Sequence, residues 1–165
     1  MERIHKMGCV MTRSEKAVEL FKEGYNCSQA VFVAFADLYN IDQEMALKLS
    51  ASFGGGMGRM REVCGAVSGM FLVAGLETGT VEGKDSKGKQ HNYEVVQQLA
   101  EKYREKNGSI ICRELLGLEG NIHKETTPEN RTTEYYKKRP CVELVREAAE
   151  IIERFLEEEE TKKEI

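Results

Sequence analysis

The sequence predicts an all-α fold, a compact single-domain bundle of about six to seven helices. Three observations predict it. Apolar residues recur at three- and four-residue spacing through most of the chain, no stretch of useful length alternates as a strand would, and Asn, Asp, Ser, Gly and Pro fall where the periodic segments begin and end. At 165 residues, 41% of them hydrophobic, the chain is long enough to bury its own core without disulfide staples. The expected organisation is an N-terminal extension over residues 1–11, a helical domain over 12–156 and a charged tail over 157–165, with no internal repeat.

Each element has a local reason. Ser14 opens a first helix that sets Ala17, Leu20 and Phe21 on one face and stops at Gly24. Asn26 is a good N-cap for a second, in which Cys27, Ala30, Val31, Ala34, Phe35 and Leu38 follow at helical spacing. Asp42 caps a third, which runs through Leu47 and Leu49 to Phe53. Gly54, Gly55 and Gly56, with Gly58 beyond, break the chain, because consecutive glycines cost about 1 kcal/mol each in a helix and favour positive φ. The run VCGAVSGMFLVAGL then predicts a fourth helix buried all round and closing near Gly75 to Gly79. Its Gly65, Ala66, Ser68 and Gly69 leave one side nearly bare, open to a neighbouring backbone or a bound group.

Residues 80–89 read as an exposed polar loop. Tyr93, Val96, Leu99, Ala100 and Tyr103 mark a longer amphipathic helix ended by Asn107 and Gly108, and Ser109 is placed to cap a short helix that Gly117 ends. Periodicity is lost from Glu119 to Tyr136, which predicts an irregular excursion or a short helical turn. Pro140 suits the first turn of a last helix with a stripe of Cys141, Leu144, Val145, Ala148, Ala149, Ile152 and Phe155, and the acidic tail beyond it is expected to be solvated or frayed.

Composition excludes several functions. Twenty-four basic against 28 acidic residues give a net charge of −4, and with no Trp and few aromatics the chain offers neither a basic face nor a stacking platform for nucleic acid. No apolar run is long enough to span a bilayer, and residues 1–11 lack the apolar segment of a secretory signal, so a cytoplasmic location is expected. Thiols stay reduced there, which turns five cysteines towards catalysis or metal binding rather than structural bridges. The apolar content also allows a homodimer, a point composition leaves open.

Four cysteines share a placement. Cys27, Cys64, Cys112 and Cys141 each begin a predicted helix, and each is followed three or four residues later by an apolar residue, so each thiol faces the core. At a helix start the free backbone N–H groups and the macrodipole are expected to lower a thiol's pKa. Arg59, Arg61, Arg113 and Arg139 stand next to these starts and either add positive charge or are ordinary solvated side chains. Cys9 lacks the pattern and is excluded. A lone cysteine on an apolar stripe is usually a small buried hydrophobe, but four with the same placement suggest one shared redox or metal site. Gly54, Gly55 and Gly56 would turn the chain into that site, and Gly65, Ala66 and Gly69 would keep it open. No CxxC occurs, so neither a thioredoxin-like motif nor a zinc ribbon is present, and His5, His91 and His123 stand singly. The turn GGGMGRM completes neither a P-loop nor GxGxxG.

The segments GYNCSQAV, GGGMGRMREVCGAVSG, NGSIICRELLG and KRPCVELVREAAEI resemble the C-GCAxxG-C-C family, regarded as redox-active on the strength of its four cysteines. The resemblance runs from about Ser14 to Phe155. A related domain occurs in split-Soret cytochrome c, so the resemblance implies an iron-sulfur role; this chain has no CxxCH, and haem attachment is not carried over. Three readings of the site follow. In the first, the four cysteines bind an iron-sulfur cluster, for example a two-iron two-sulfur centre, and exchange electrons with an unidentified redox partner; structural zinc is the alternative within metal chemistry. The second is a metal-free thiol-disulfide protein or sensor, in which the same four cysteines are the reactive thiols. The third is a small-molecule or anion-binding module using the glycine turn.

Overall fold

The computed structural model of the protein describes residues 11–120 and 125–165. Among them the chain forms eight helices: α1 (Arg13–Lys22), α2 (Cys27–Ala36), α3 (Gln43–Ser50), α4 (Gly65–Thr78), α5 (Ser86–Asn107), α6 (Cys112–Leu115), α7 (Thr133–Lys138) and α8 (Cys141–Lys163). Short 3-10 turns continue α2 and α3, and no strand occurs among the described residues. The all-α class is as expected. None of these helices is long and apolar enough to cross a membrane.

The centre of the bundle is α2, packed against α1, α3, α4 and α8. Ser28 and every residue from Ala30 to Ala36 are buried, so Phe32 and Val33 join the core along with the expected stripe. Neighbours on several sides, which periodicity does not reveal, account for the difference. Against α2 lies α4, and the two come close because of missing side chains. A Cβ on Gly69 would stand 2.8 Å from the Ser28 carbonyl oxygen and 3.0 Å from the Val31 Cβ. One on Gly65 would stand 2.8 Å from the Phe53 carbonyl oxygen and run into the Cys27 sulfur. All-round burial of α4 holds from Gly65 to Met70; beyond Ala74 the helix emerges, and Leu76 is 41% exposed.

Several element ends differ from the sequence reading. Thr12, not Ser14, starts α1, in a capping box where Thr12 N–H donates to Glu15 Oε2 (2.8 Å) and Glu15 N–H donates to Thr12 Oγ1 (3.2 Å). Helix α5 begins at Ser86, capped by Asp85, so the polar loop is shorter than residues 80–89. Instead of capping α6 directly, Ser109 accepts from the N–H of Ile111, itself the N-cap of a four-residue helix. The tail is solvated but not frayed: α8 runs to Lys163, whose ammonium pairs with Glu77 at 2.7 Å. Caps at Asn26, Asp42 and Gly108 fall where expected. The predicted N-terminal extension and Cys9, His5 and His123 lie outside the described residues, apart from Met11.

Candidate redox-active cysteine site

Cys27, Cys112 and Cys141 are the first residues of α2, α6 and α8, and Cys64 is the N-cap of α4. All four line one cavity of about 300 Å³, and all four are free thiols. Cys27 is set by the Asn26–Gln29 capping box, with Asn26 Nδ2 donating to the Ala51 carbonyl (2.9 Å) and Gln29 Nε2 to that of Leu47 (3.1 Å). That ties the start of α2 to α3 and the residues just after it.

Cys64 and Cys112 are held together by a short backbone pairing. Val63 and Ile111 form an isolated antiparallel bridge, in which Cys64 N–H donates to the Ile110 carbonyl (2.8 Å) and Cys112 N–H to that of Glu62 (2.5 Å). The glycine turn feeds this bridge. Gly55, Gly56 and Gly58 all have positive φ, and Arg61 N–H returns to the Gly55 carbonyl at 3.1 Å. A side chain on Gly56 would collide with the Cys112 Cβ. Of the glycines singled out from the sequence, Gly54, Gly55 and Gly65 line the cavity. Gly56 supports it from behind Cys112, while Gly69 belongs to the α2–α4 contact. Ala66 serves through its backbone, whose N–H, with that of Val67, points to the Cys64 sulfur.

The expected lowering of the thiol pKa values is overturned for three of the four. Burial raises the Cys27 thiol, against opposing hydrogen bonds from backbone N–H groups of which that of Gly55 is the largest. Cys64 and Cys141 are each pushed up to about 12, by burial first and then by the neighbouring Cys27. Backbone N–H groups act in the predicted direction on Cys27 and Cys64, but loss of water around a thiolate outweighs them. Arg139 and Arg131 pull Cys141 downward and are likewise outweighed.

Four guanidinium groups line the cavity, those of Arg59, Arg61, Arg131 and Arg139. Arg61 Nη1 donates to the Cys112 sulfur at 3.6 Å, and Arg59 Nε donates to the Glu125 carbonyl at 2.9 Å. Both residues hold left-handed backbone, φ 62° and 65°, uncommon for a side chain of this size. Arg139 pairs with Glu129. The fourth arginine near a helix start, Arg113, pairs with Glu62 at 2.6 Å and does not line the cavity.

Sequence reasoning missed Arg131, Tyr103 and Tyr135. Arg131 donates to the carbonyls of Phe21 (2.8 Å) and Tyr25 (3.1 Å) and lies over the Phe21 and Tyr135 rings, at 4.1 and 5.0 Å. It comes from the stretch without periodicity, where no local signal marks it. Tyr103 was legible only as a core residue; its hydroxyl lies 3.8 Å from the Cys64 sulfur. His91, exposed on α5, takes no part in the cavity.

The donor set can be tested against a metal. Tetrahedral zinc, at about 2.3 Å from each sulfur, would draw four thiolates to within about 4 Å of one another. Among the described residues no three Cys, His, Asp or Glu are grouped as they would be round one ion.

Residues 25–155 match the family described as "Putative redox-active protein (C_GCAxxG_C_C)", and the chain belongs to that family. An uncharacterized protein of Archaeoglobus fulgidus is 31% identical over 163 residues, covering 92% of this chain and all of the relative. No solved structure matches.

Proposed function

We propose that Cys27, Cys64, Cys112 and Cys141 together hold an iron-sulfur cluster, of the two-iron two-sulfur kind, and that the protein serves in electron transfer or redox sensing. The observation that carries this reading is the convergence of four thiols, each from a different helix start, on one cavity. When bound, such a centre supplies one-electron chemistry at a potential set by burial and by hydrogen bonds to its sulfurs.

The chain's own groups support the same reading. Two ferric ions, two sulfides and four thiolates sum to a net charge of −2, which the half-buried guanidiniums of Arg61, Arg131 and Arg139 would offset. Tyr103 and Arg61 are placed to hydrogen-bond the sulfurs of Cys64 and Cys112. Thiols raised by burial exchange slowly with a disulfide substrate at neutral pH, whereas metal charge would compensate the thiolates directly. A cytoplasmic setting, where thiols stay reduced, belongs to the proposal.

Anaerobic purification, an absorption spectrum and iron, zinc and sulfide analysis test it. The expected protein is coloured, with iron and acid-labile sulfide in equal amounts. Cys64→Ser should lose both and Cys9→Ser neither. A colourless protein carrying zinc, or equal iron in the two variants, would overturn the assignment.

A further inference from the structure

We propose that the same cavity binds a small oxyanion against Arg59 and Arg61, beside the cysteine sulfurs. This gives the redox reading above its substrate class and in that sense rests on it, although the binding itself does not require a loaded cluster.

The argument starts from how this protein treats arginine elsewhere. Arg13 pairs with Asp37, Arg104 with Glu101, Arg113 with Glu62 and Arg146 with Glu143. Of the four arginines at the cavity only Arg139 has such a partner. Arg59, Arg61 and Arg131 are half-buried, and no carboxylate lies within ion-pair distance of any of them among the described residues. Arg131 directs its N–H groups to two carbonyls and lies over two rings, so Arg59 and Arg61 keep more donors for a ligand. Among the described residues their guanidinium groups make one hydrogen bond each, to a carbonyl and to a thiol. A guanidinium has five N–H donors, so most of theirs remain for a ligand.

Backbone and charge point the same way. Two arginines two positions apart both keep left-handed φ, a conformation that persists where surrounding structure imposes it and that clusters at ligand sites. Thr126, Pro128 and Tyr135, from a segment without cysteine, also line the cavity, and Arg59 is tied to the start of that segment through the Glu125 carbonyl. Four arginines against the single Glu129 leave a formal charge of +3 in the lining. A cluster of net charge −2 would still leave one positive charge over. The space, about 300 Å³ and shared with the thiols, has room for an inorganic oxyanion or a short carboxylate.

The test uses the reduced, cluster-free full chain, titrated calorimetrically with sulfate and with acetate at constant ionic strength. These redox-inert probes separate tetrahedral from planar oxyanions, and saturable binding of either is the expected result. Arg59→Gln and Arg61→Gln should each weaken it at least about tenfold, as loss of a charge-assisted hydrogen bond does. Arg104→Gln, far from the cavity on α5, should leave it unchanged, and Arg61→Lys, which keeps the charge, should bind within a few-fold of wild type should the glutamine variant fail to fold. Absence of saturable binding, or equal weakening by Arg104→Gln, would overturn the proposal. Iron content is measured separately: a chain that retains iron and binds no anion fails here alone, and one that binds anions and never retains iron fails only the cluster reading.

Discussion

The two ends of α2 solve the same problem in opposite ways. Its C-terminal end presents carbonyl oxygens and receives a buried cation: Arg13, 1% exposed, donates to the Ala34 carbonyl at 2.7 Å and grips the Asp37 carboxylate at 2.6 and 3.1 Å. Its N-terminal end presents N–H groups and receives Cys27, a thiol that burial keeps protonated, at the edge of a cavity lined by further thiols and guanidiniums. One end is electrostatically closed. The other carries positive charge and neutral sulfur that only something bound, or oxidation, would complete. A fold that matches a buried arginine to a carboxylate at one pole and leaves arginines unmatched at the other separates stability from function along a single helix.

Breaking the closed pole should cost the most. Arg13→Ala removes the bidentate pair and strands the Ala34 carbonyl, and about 3 kcal/mol should be lost in urea unfolding, with the iron content proposed for the open pole unchanged. Parallel loss of iron would show that the poles are not independent. Gly65→Ala attacks the open pole through sterics, driving a methyl into the Cys27 sulfur and towards the Phe53 carbonyl. About 2 kcal/mol of destabilisation and a disproportionate loss of iron are expected.

The pH dependence of the metal-free protein should separate the poles more gently. Against the upward push of partial burial, hydrogen bonds and charge from Arg13 hold the Asp37 carboxyl below its usual range. A depressed folded value contributes stability that is present above the ordinary carboxylate pKa of about 4 and lost as pH falls through the folded value. With the Asp37 side chain 52% exposed the effect is about 1 kcal/mol, and Asp37→Asn should flatten the acid limb. Cys64 and Cys141 act in the opposite direction: values raised from 9.0 to about 12 give stability that is complete below pH 9 and lost as pH rises towards 12. Chemical denaturation from pH 3 to 11 reads both limbs, and a flat alkaline limb would contradict the burial of these thiols. The smallest change is expected at Gly75, with open space around it on α4 and outside both poles, where Gly75→Ala should stabilise by about 0.5 kcal/mol.

Much of this arrangement was legible because its signals are local. Asn26, Asp42 and Gly108 announce helix ends through hydrogen bonds made within a few residues, and the cysteines could be placed at helix starts for the same reason. The error over thiol ionisation has an equally clear cause. A helix N-terminus can be read from three residues, whereas desolvation depends on every neighbour, and here it is the larger effect. Arg13 shows the same limit: a charged residue in a first turn reads as solvated until Asp37 is brought to it by the packing of α1 on α2.

The all-α class, the order of the longer helices, the caps at Asn26, Asp42 and Gly108 and the placing of four cysteines at helix starts follow from the chain alone, since each depends on periodicity or capping within one or two turns. That Cys64 meets Cys112 through the Val63–Ile111 bridge, that Arg131 reaches the cavity from an aperiodic stretch, and that Arg59 and Arg61 have no carboxylate partner among the described residues were decided by tertiary structure. These are pairings between segments tens of residues apart, and they exist only once the core excludes water and leaves each buried charge to the partners within its reach.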